Sequence, residues 1–262
     1  MIFDGDVQLD KKPSRGYIKV FNKLDTLYMR CCKLILGVPT SSRNISVLVR
    51  LGFLPLRFHF VWRALVWYLK AYHGRASRVV QRQLFEFFED DEIWFQSSFY
   101  NPAYRMLLFL RRVSGINFWG IPVDKVSEPI RDALFKVANN FWSNLDISPH
   151  VRVIHPTWQF KKFSRICHSR HTNAIFHSCA LGRGRLQEFL FSCGTAPHPN
   201  CCLGCADREN TYHVFISCPQ RKDKRNLLKK KFADLSIAFN LTNLFTNEKI
   251  QIDVEKFIKE IF

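Results

Sequence analysis

The chain has 262 residues and carries 39 Lys and Arg against 22 Asp and Glu, a formal net charge of +17. Hydrophobic residues make up 47% of it, with 25 Phe and 6 Trp, enough to bury one large core or two to three small ones. The longest apolar run, Phe60 to Leu69, is broken by Arg63 and too short to span a bilayer, and the opening MIFDGDVQLDKK holds charges where a signal peptide needs an apolar stretch. The expectation is a soluble intracellular protein of the cytoplasm or nucleus, without a membrane partner. Nine cysteines in such a setting argue for reduced thiols, metal ligands or both, rather than a disulfide framework.

The elements follow in chain order. From Ile18 to Leu36, Val20, Leu24, Leu27, Tyr28, Cys31, Leu34 and Ile35 recur at helical spacing, and Gly37 and Pro39 stop the run. Asn44 to Leu51 reads as a short helix ended by Gly52. Pro55 opens a helix to Gly74 that is apolar nearly all round, apart from a stripe of Arg57, Arg63 and Lys70, which predicts burial on several sides. Ser77 is placed to cap a helix to Phe88, and Asn101-Pro102 to open another to Val113. Residues 115–124, GINFWGIPVD, read as a linker or turn. Helices are expected from Glu128 to Leu145, from Trp158 to Leu181 and from Arg185 to Phe191. The tail holds a basic helix from Gln220 to Phe239 and a last one from Val254 to Phe262. Strand signals are sparse, and no internal repeat or low-complexity tract is visible.

A net charge this large points to a polyanionic partner, nucleic acid before an anionic membrane. Its distribution sharpens the point. Ile147 to Gln187 contains no Asp or Glu but holds Arg152, Lys161, Lys162, Arg165, Arg170, Arg183 and Arg185. The run RKDKRNLLKKK, Arg221 to Lys231, sets seven cations against one acid. The alternative for either cluster is a solvated helix face, and it is weaker as an account of both together.

The densest signal is PNCCLGCADRENTYHVFISCP, Pro199 to Pro219. Cys202, Cys205, His213 and Cys218 form a Cys-x2-Cys-x7-His-x4-Cys pattern, in which two thiolates grip an ion from a tight turn that Gly204 makes possible. Four soft ligands with no open position suit a structural tetrahedral Zn2+ rather than a catalytic one. Buried free cysteines are common in cores but rarely cluster at this spacing. Cys201, which would make a Cys-x3-Cys loop, and Cys193 are rival ligands.

The run CALGRGRLQEFLFSCGTAPHPNCCLGCADRENTYHVFISCP resembles the C-terminal tail of non-LTR (LINE-type) retrotransposon reverse transcriptases. Gly182-Arg183-Gly184 stands where that family carries a Gly-His-Gly-like turn, Asp207 and Glu209 fill its acidic stretch, and His213, Cys218 and Pro219 close it. Upstream, LDTLYMRCCKLILGVPTSSRNISVLVRLGFLPLRFH looks like the segment that follows the polymerase thumb. The resemblance implies a mainly α chain with a bundle-like post-thumb or connector region over 1–115, a basic helical region over 116–196, a CCHC zinc knuckle over 197–219 and a basic helical tail over 220–262. It implies the C-terminal remnant of such an element, binding RNA, target DNA or both in support of a polymerase portion.

The same resemblance bears on catalysis. Phe88-Glu89-Asp90-Asp91 fits the family's aromatic-x-Asp-Asp pattern literally, but it follows the post-thumb element instead of preceding it and sits at the end of a helical pattern. It is read as a solvated helix end, so the carboxylates that would hold two Mg2+ ions on a palm are missing. Asp124, Glu128, Asp132 and Asp146 do not reproduce an RNase H site. Cys167, His168 and His171 have no acid nearby to orient a histidine. The chain is therefore expected to have no catalytic residues and no small-molecule substrate. Its phosphate contacts are expected at Lys161, Lys162, Arg165, Arg170, Arg183, Arg185, Arg221, Lys222, Lys224 and Arg225, with counterion release on binding. Trp158, Phe160 and Phe163 are placed either to stack on unpaired bases or to pack in the core. The competing reading is a docking module whose Pro55–Tyr72 helix packs on a polymerase palm or thumb.

Overall fold

The computed structural model describes residues 15–75, 100–147, 149–160 and 169–262. The helix expected from Ser77 to Phe88, the acidic run from Glu89 to Glu92, and Lys161, Lys162, Phe163, Arg165, Cys167 and His168 lie outside them. The described chain is mainly helical; its β-structure is a single-residue antiparallel bridge between Asn200 and Arg208. No single described helix is long and apolar enough to cross a membrane.

The helices are α1 (Arg15–Leu36), α2 (Asn44–Leu51), α3 (Leu56–Tyr72), α4 (Tyr100–Ser114), α5 (Ser127–Ser143), α6 (Pro149–Ile154), α7 (Arg170–Ala180), α8 (Gln187–Ser192), α9 (Lys222–Asp234), α10 (Leu241–Thr246) and α11 (Gln251–Ile261). They divide between two compact units, each with its own core. One takes in Leu54–Leu145 and Trp158–Phe160 with the chain up to Asp25; the other takes in Thr26–Phe53, Asp146–Thr157 and Lys161–Phe262. The boundaries follow packing rather than composition. The cysteine-rich stretch and the basic tail, expected as separate segments, share one core with residues far upstream.

The first unit rests on α3, α4 and α5, which pack against one another. Phe58, Leu65, Leu107, Leu110, Ile130, Leu134 and Trp142 are buried between them. Helix α3 is not buried on several sides as its composition suggests: Phe60, Trp67 and Tyr72 are 42–50% exposed. Trp158 does not begin a helix. Its N–H donates to Asn139 Oδ1 and its carbonyl accepts from Asn139 Nδ2 at 2.7 Å, which holds the indole 6.4 Å from that of Trp142. Of the helix expected over Trp158 to Leu181, residues 161–168 lie outside the described residues and Arg170–Ala180 forms α7, where the Ser169 hydroxyl accepts from the Thr172 N–H. Trp158 is thus a core residue. Phe160 is exposed, beside Phe135 and under the Arg131 guanidinium at 4.3 Å.

The second unit is built around a run of aromatic rings. Phe176 lies 5.0 Å from Phe245, Phe245 lies 5.0 Å from Phe215, and Phe215 lies 5.6 Å from Phe257. Helix α11 packs on α7 and α9, and α10 on α6 and α11. The α1 helix ends at Gly37, whose φ of +69° only glycine adopts readily, and a Cβ there would stand 2.8 Å from Ala174 Cβ of α7. Arg50 of α2 is buried: its Nε donates to His177 Nδ1 at 3.0 Å, its Nη1 donates to the Phe245 carbonyl at 2.7 Å, and it stacks over Phe176. Burial, then the adjacent Arg50 charge, holds the His177 imidazole well below its usual value. The basic tail helix stops at Asp234, short of the expected Phe239, because Ser236 takes φ +55° and turns Phe239 back onto Phe232, ring centroids 5.0 Å apart. The sequence reading did not mark α6 or α10. The second carries its signal in Asn240, whose side-chain oxygen caps the Asn243 N–H at 2.8 Å.

Two outcomes test this packing. Gly37→Ala should destabilise the second unit by about 1–3 kcal/mol, read from the denaturant midpoint, because the new methyl meets both strain and a clash. The His177 contribution should be complete above about pH 6.5 and fall as pH drops below it, since the unfolded chain binds the proton the folded chain refuses. Chemical denaturation at pH 7.5 and 5.0 should show that loss, and His177→Gln, which still accepts from Arg50 but does not titrate, should flatten it.

Candidate metal centre

Residues 199–209 form a narrow hairpin. Cys201 N–H donates to the Asp207 carbonyl at 2.9 Å, and Glu209 N–H donates to the Pro199 carbonyl at 2.9 Å. At its tip Gly204 adopts φ +82° and donates to the Cys201 carbonyl at 3.1 Å. No atom lies within 4 Å of where a Gly204 Cβ would stand, so the glycine serves the turn and not the space. The chain then enters a turn started by Asn210, whose side-chain oxygen accepts the His213 N–H at 2.9 Å.

His213–Ser217 is π-helical, and Cys218 N–H donates to the His213 carbonyl at 2.7 Å. On an α-helix, residues five apart point about 140° away from each other. The wider π turn brings them into register, which is how His213 and Cys218 come to one place.

One ligand atom each from Cys201, Cys205, His213 and Cys218 lie within 4.8 Å of one another. Cys205 Sγ is 3.7 Å and Cys201 Sγ is 4.0 Å from Cys218 Sγ. Tetrahedral coordination with metal–sulfur bonds of about 2.3 Å places sulfurs about 3.8 Å apart, far beyond the disulfide length of about 2 Å. The His213 ring has Asp207 Oδ2 and Ser217 Oγ each 3.5 Å from Nδ1, while its buried Nε2 has no hydrogen-bond partner among the described residues. A buried polar atom left this way is costly, and a cation would relieve it. Burial pushes the Cys201 thiol up to about 12 and lowers the His213 imidazole, so the ring is kept in the neutral form that ligates metal. Three thiols and an imidazole can therefore bind a metal ion.

The cluster differs from the expected set at one position: Cys201 takes the place of Cys202. The Cys202 thiol donates to Glu209 Oε2 at 3.1 Å, and its backbone N–H donates to the same oxygen at 3.0 Å. Glu209 is 1% exposed, and that anchor turns Cys202 away from the three thiols. Burial, then the hydrogen bond to Glu209, raises the Cys202 thiol. Cys193, the other rival, is exposed beside Ser192 and outside the cluster.

The expected phosphate contacts divide sharply. Arg221 and Arg225 are buried and face inward. Arg221 Nη2 stands 3.9 Å from Glu209 Oε2, and Arg225 Nη1 donates to the Cys218 carbonyl at 2.8 Å. They support the cysteine–histidine cluster and are not presented to a polyanion. Arg170, Arg185, Lys222 and Lys224 are exposed, although Arg185 donates to the Phe262 carbonyl at 3.2 Å and Lys224 to the Glu260 carbonyl. Arg183 is half-buried over the Phe189 ring at 4.8 Å. Lys229, Lys230 and Lys231 of α9, in the basic run but not singled out by the sequence reading, are exposed as well. Among the described acids once weighed for catalysis, Glu128 and Asp132 flank Arg131 at 4.0 and 3.2 Å. His171 is exposed at the start of α7.

Comparisons of the chain with protein families, with curated proteins and with solved structures find no match.

Cys201→Ser and Cys205→Ser should each abolish stoichiometric metal binding, whereas Cys202→Ser should retain one ion per chain. Elemental analysis of the purified variants checks this. Cobalt substitution gives a second readout, because the thiolate-to-cobalt absorption should persist only in the Cys202 variant.

Proposed function

We propose that this chain is a nucleic-acid-binding protein whose Cys201–Cys205–His213–Cys218 centre holds a structural zinc ion, and that it corresponds to the C-terminal region of a LINE-type reverse transcriptase. The observation that carries the reading is the centre itself: three thiols and an unpartnered buried imidazole nitrogen at metal spacing, followed directly by a helix whose outer face bears cations. Zinc prefers such sulfur-rich tetrahedral sets. With four protein ligands it would act as a crosslink, worth on the order of 10 kcal/mol of folding energy in a small module, and not as a catalyst.

The residues around the centre divide the labour. Glu209, Arg221 and Arg225 are spent on building it, while Lys222, Lys229, Lys230 and Lys231 remain in water on α9. Those lysines, with Arg170 and Arg185, neutralise phosphates and release counterions without reading sequence. This reading gives the chain no reaction of its own; its partners are RNA or DNA and a polymerase portion.

A second reading is favoured by α3, where Phe60, Trp67 and Tyr72 leave much of their surface in water. Apolar surface on one helix suits docking on another protein, such as that polymerase portion.

The deciding experiment is binding of a labelled single-stranded RNA and a duplex DNA across a salt series, with and without a zinc chelator. The logarithm of affinity should fall linearly with the logarithm of salt concentration, and replacing Lys222, Lys229 and Lys230 together with Gln should reduce that slope by about 2–3. Chelation should weaken binding by unfolding the hairpin. Absence of binding at low salt defeats the nucleic-acid reading and leaves docking through α3.

A further inference from the structure

The second unit contains a groove of 940 Å³ with walls from the start of α2, from α6, from the turn after α7, from α8 and from the segment that leads into the π turn. It is large enough for a nucleotide or a short stretch of a strand. The floor is fixed. Gly182 has φ +65° and lies so close to His150 Nε2 that any Cβ there would overlap the ring. Burial lowers the His150 imidazole, the Glu188 charge opposes that only in part, and the ring is a neutral hydrogen-bonding group.

The charges lining the groove do not cancel. Glu188 is engaged by Arg208 at 3.7 Å, which leaves Arg43 and Arg183 in surplus. Arg43 spends one Nη1 donor on the Asp146 carbonyl at 2.8 Å and keeps the rest of its fork. The Arg183 guanidinium carbon lies over the Phe189 ring, 4.8 Å from its centroid, a cation–π contact that limits where the group can move. A guanidinium recognises phosphate oxygens in pairs through its fork of N–H donors. Tyr212, immediately before the candidate ligand His213, also lines the groove and is 53% exposed, a large aromatic face left in water. Asn210 and Asn240 line it too and use their side-chain oxygens as helix caps, so their NH2 groups remain as donors for a base edge.

Two guanidinium groups, exposed aromatic surface and neutral amide and imidazole groups in one groove match an unpaired nucleotide: phosphate on the arginines, base on an aromatic face, base edge on the amides. Stacked bases of a duplex cannot be reached this way. We infer that this groove binds an unpaired nucleotide of a single-stranded nucleic acid, with Tyr212 as the stacking surface and Arg43 and Arg183 as phosphate contacts. The inference rests on the nucleic-acid reading above and deepens it: α9 supplies charge to any strand, while the groove selects unpaired ones. The metal centre then sets the rim, because His213 fixes the backbone on which Tyr212 stands.

The test uses the full, zinc-loaded chain with a short oligouridylate and a duplex of equal charge, and fluorescence anisotropy as readout. Tyr212→Ala should weaken oligouridylate binding about tenfold and leave duplex binding essentially unchanged, and Tyr212→Phe should bind as the parent does. Arg183→Gln should also weaken the single strand selectively. Bound zinc is measured in every variant, and Arg183→Gln decides if Tyr212→Ala loses the ion. If the parent binds both probes but neither variant changes the preference for single strands, or both probes weaken equally, the groove inference is overturned while the lysine face stands. If the parent binds neither probe, the nucleic-acid reading itself falls.

Discussion

A single buried carboxylate organises the second unit's chemistry. Glu209 accepts both the backbone N–H and the thiol of Cys202, faces the Arg221 guanidinium and, through its own backbone, ties the hairpin to Pro199 and to the start of α8. A carboxylate this deeply buried is tolerable only with such partners. The consequence is geometric: of two adjacent cysteines, one is held back and the other is delivered to the cluster. The next residues repeat the logic, since the Thr211 hydroxyl donates to the Cys179 carbonyl at 2.6 Å and anchors the segment that carries His213 to the end of α7.

The cysteine–histidine cluster is thus not an appendage. Val214 and Phe215, inside or beside the π turn, are fully buried in the same core as Phe176, Phe245 and Phe257. Two of the strongest cations of the basic run, Arg221 and Arg225, are consumed in supporting this junction. What remains in water is the set of exposed lysines of α9, together with an arginine-lined groove bordered by the turn before His213. Lysines in water attract a polyanion at long range and release it in salt, whereas fixed guanidinium groups and rings recognise local chemistry.

Much of the helical skeleton was legible from hydrophobic period and punctuation. The bounds of α2 coincide with those expected, since Gly52 at φ +68° is the stop its position suggested. Helix α5 and the last helix fall within a few residues of their expected bounds, because amphipathic spacing is a local property. Errors arose where a tertiary bond overrode local preference. Asn139 seized both backbone groups of Trp158 and kept it out of a helix, and ring packing of Phe239 on Phe232 ended α9 early. Exposure is not legible in the spacing: α1 shows Val20, Leu24, Leu27, Leu34 and Ile35 to solvent while Met29, Cys32 and Leu36 go inward. Period locates an apolar stripe but does not say whether anything covers it.

By itself the sequence determined that this is a mainly helical, strongly basic chain with a dense cluster of soft ligands, because composition, period and residue spacing are properties of the strand alone. It narrowed the ligands to a few residues and named Cys201 as a rival. Only the tertiary structure decided between the neighbours, since that choice depends on a carboxylate seven residues away in the chain, and the usual Cys-x2-Cys spacing pointed the other way. The same holds for the arginines. Charge is written in the sequence, but whether a guanidinium meets water or a buried Glu209 is settled by which residues far along the chain fold around it.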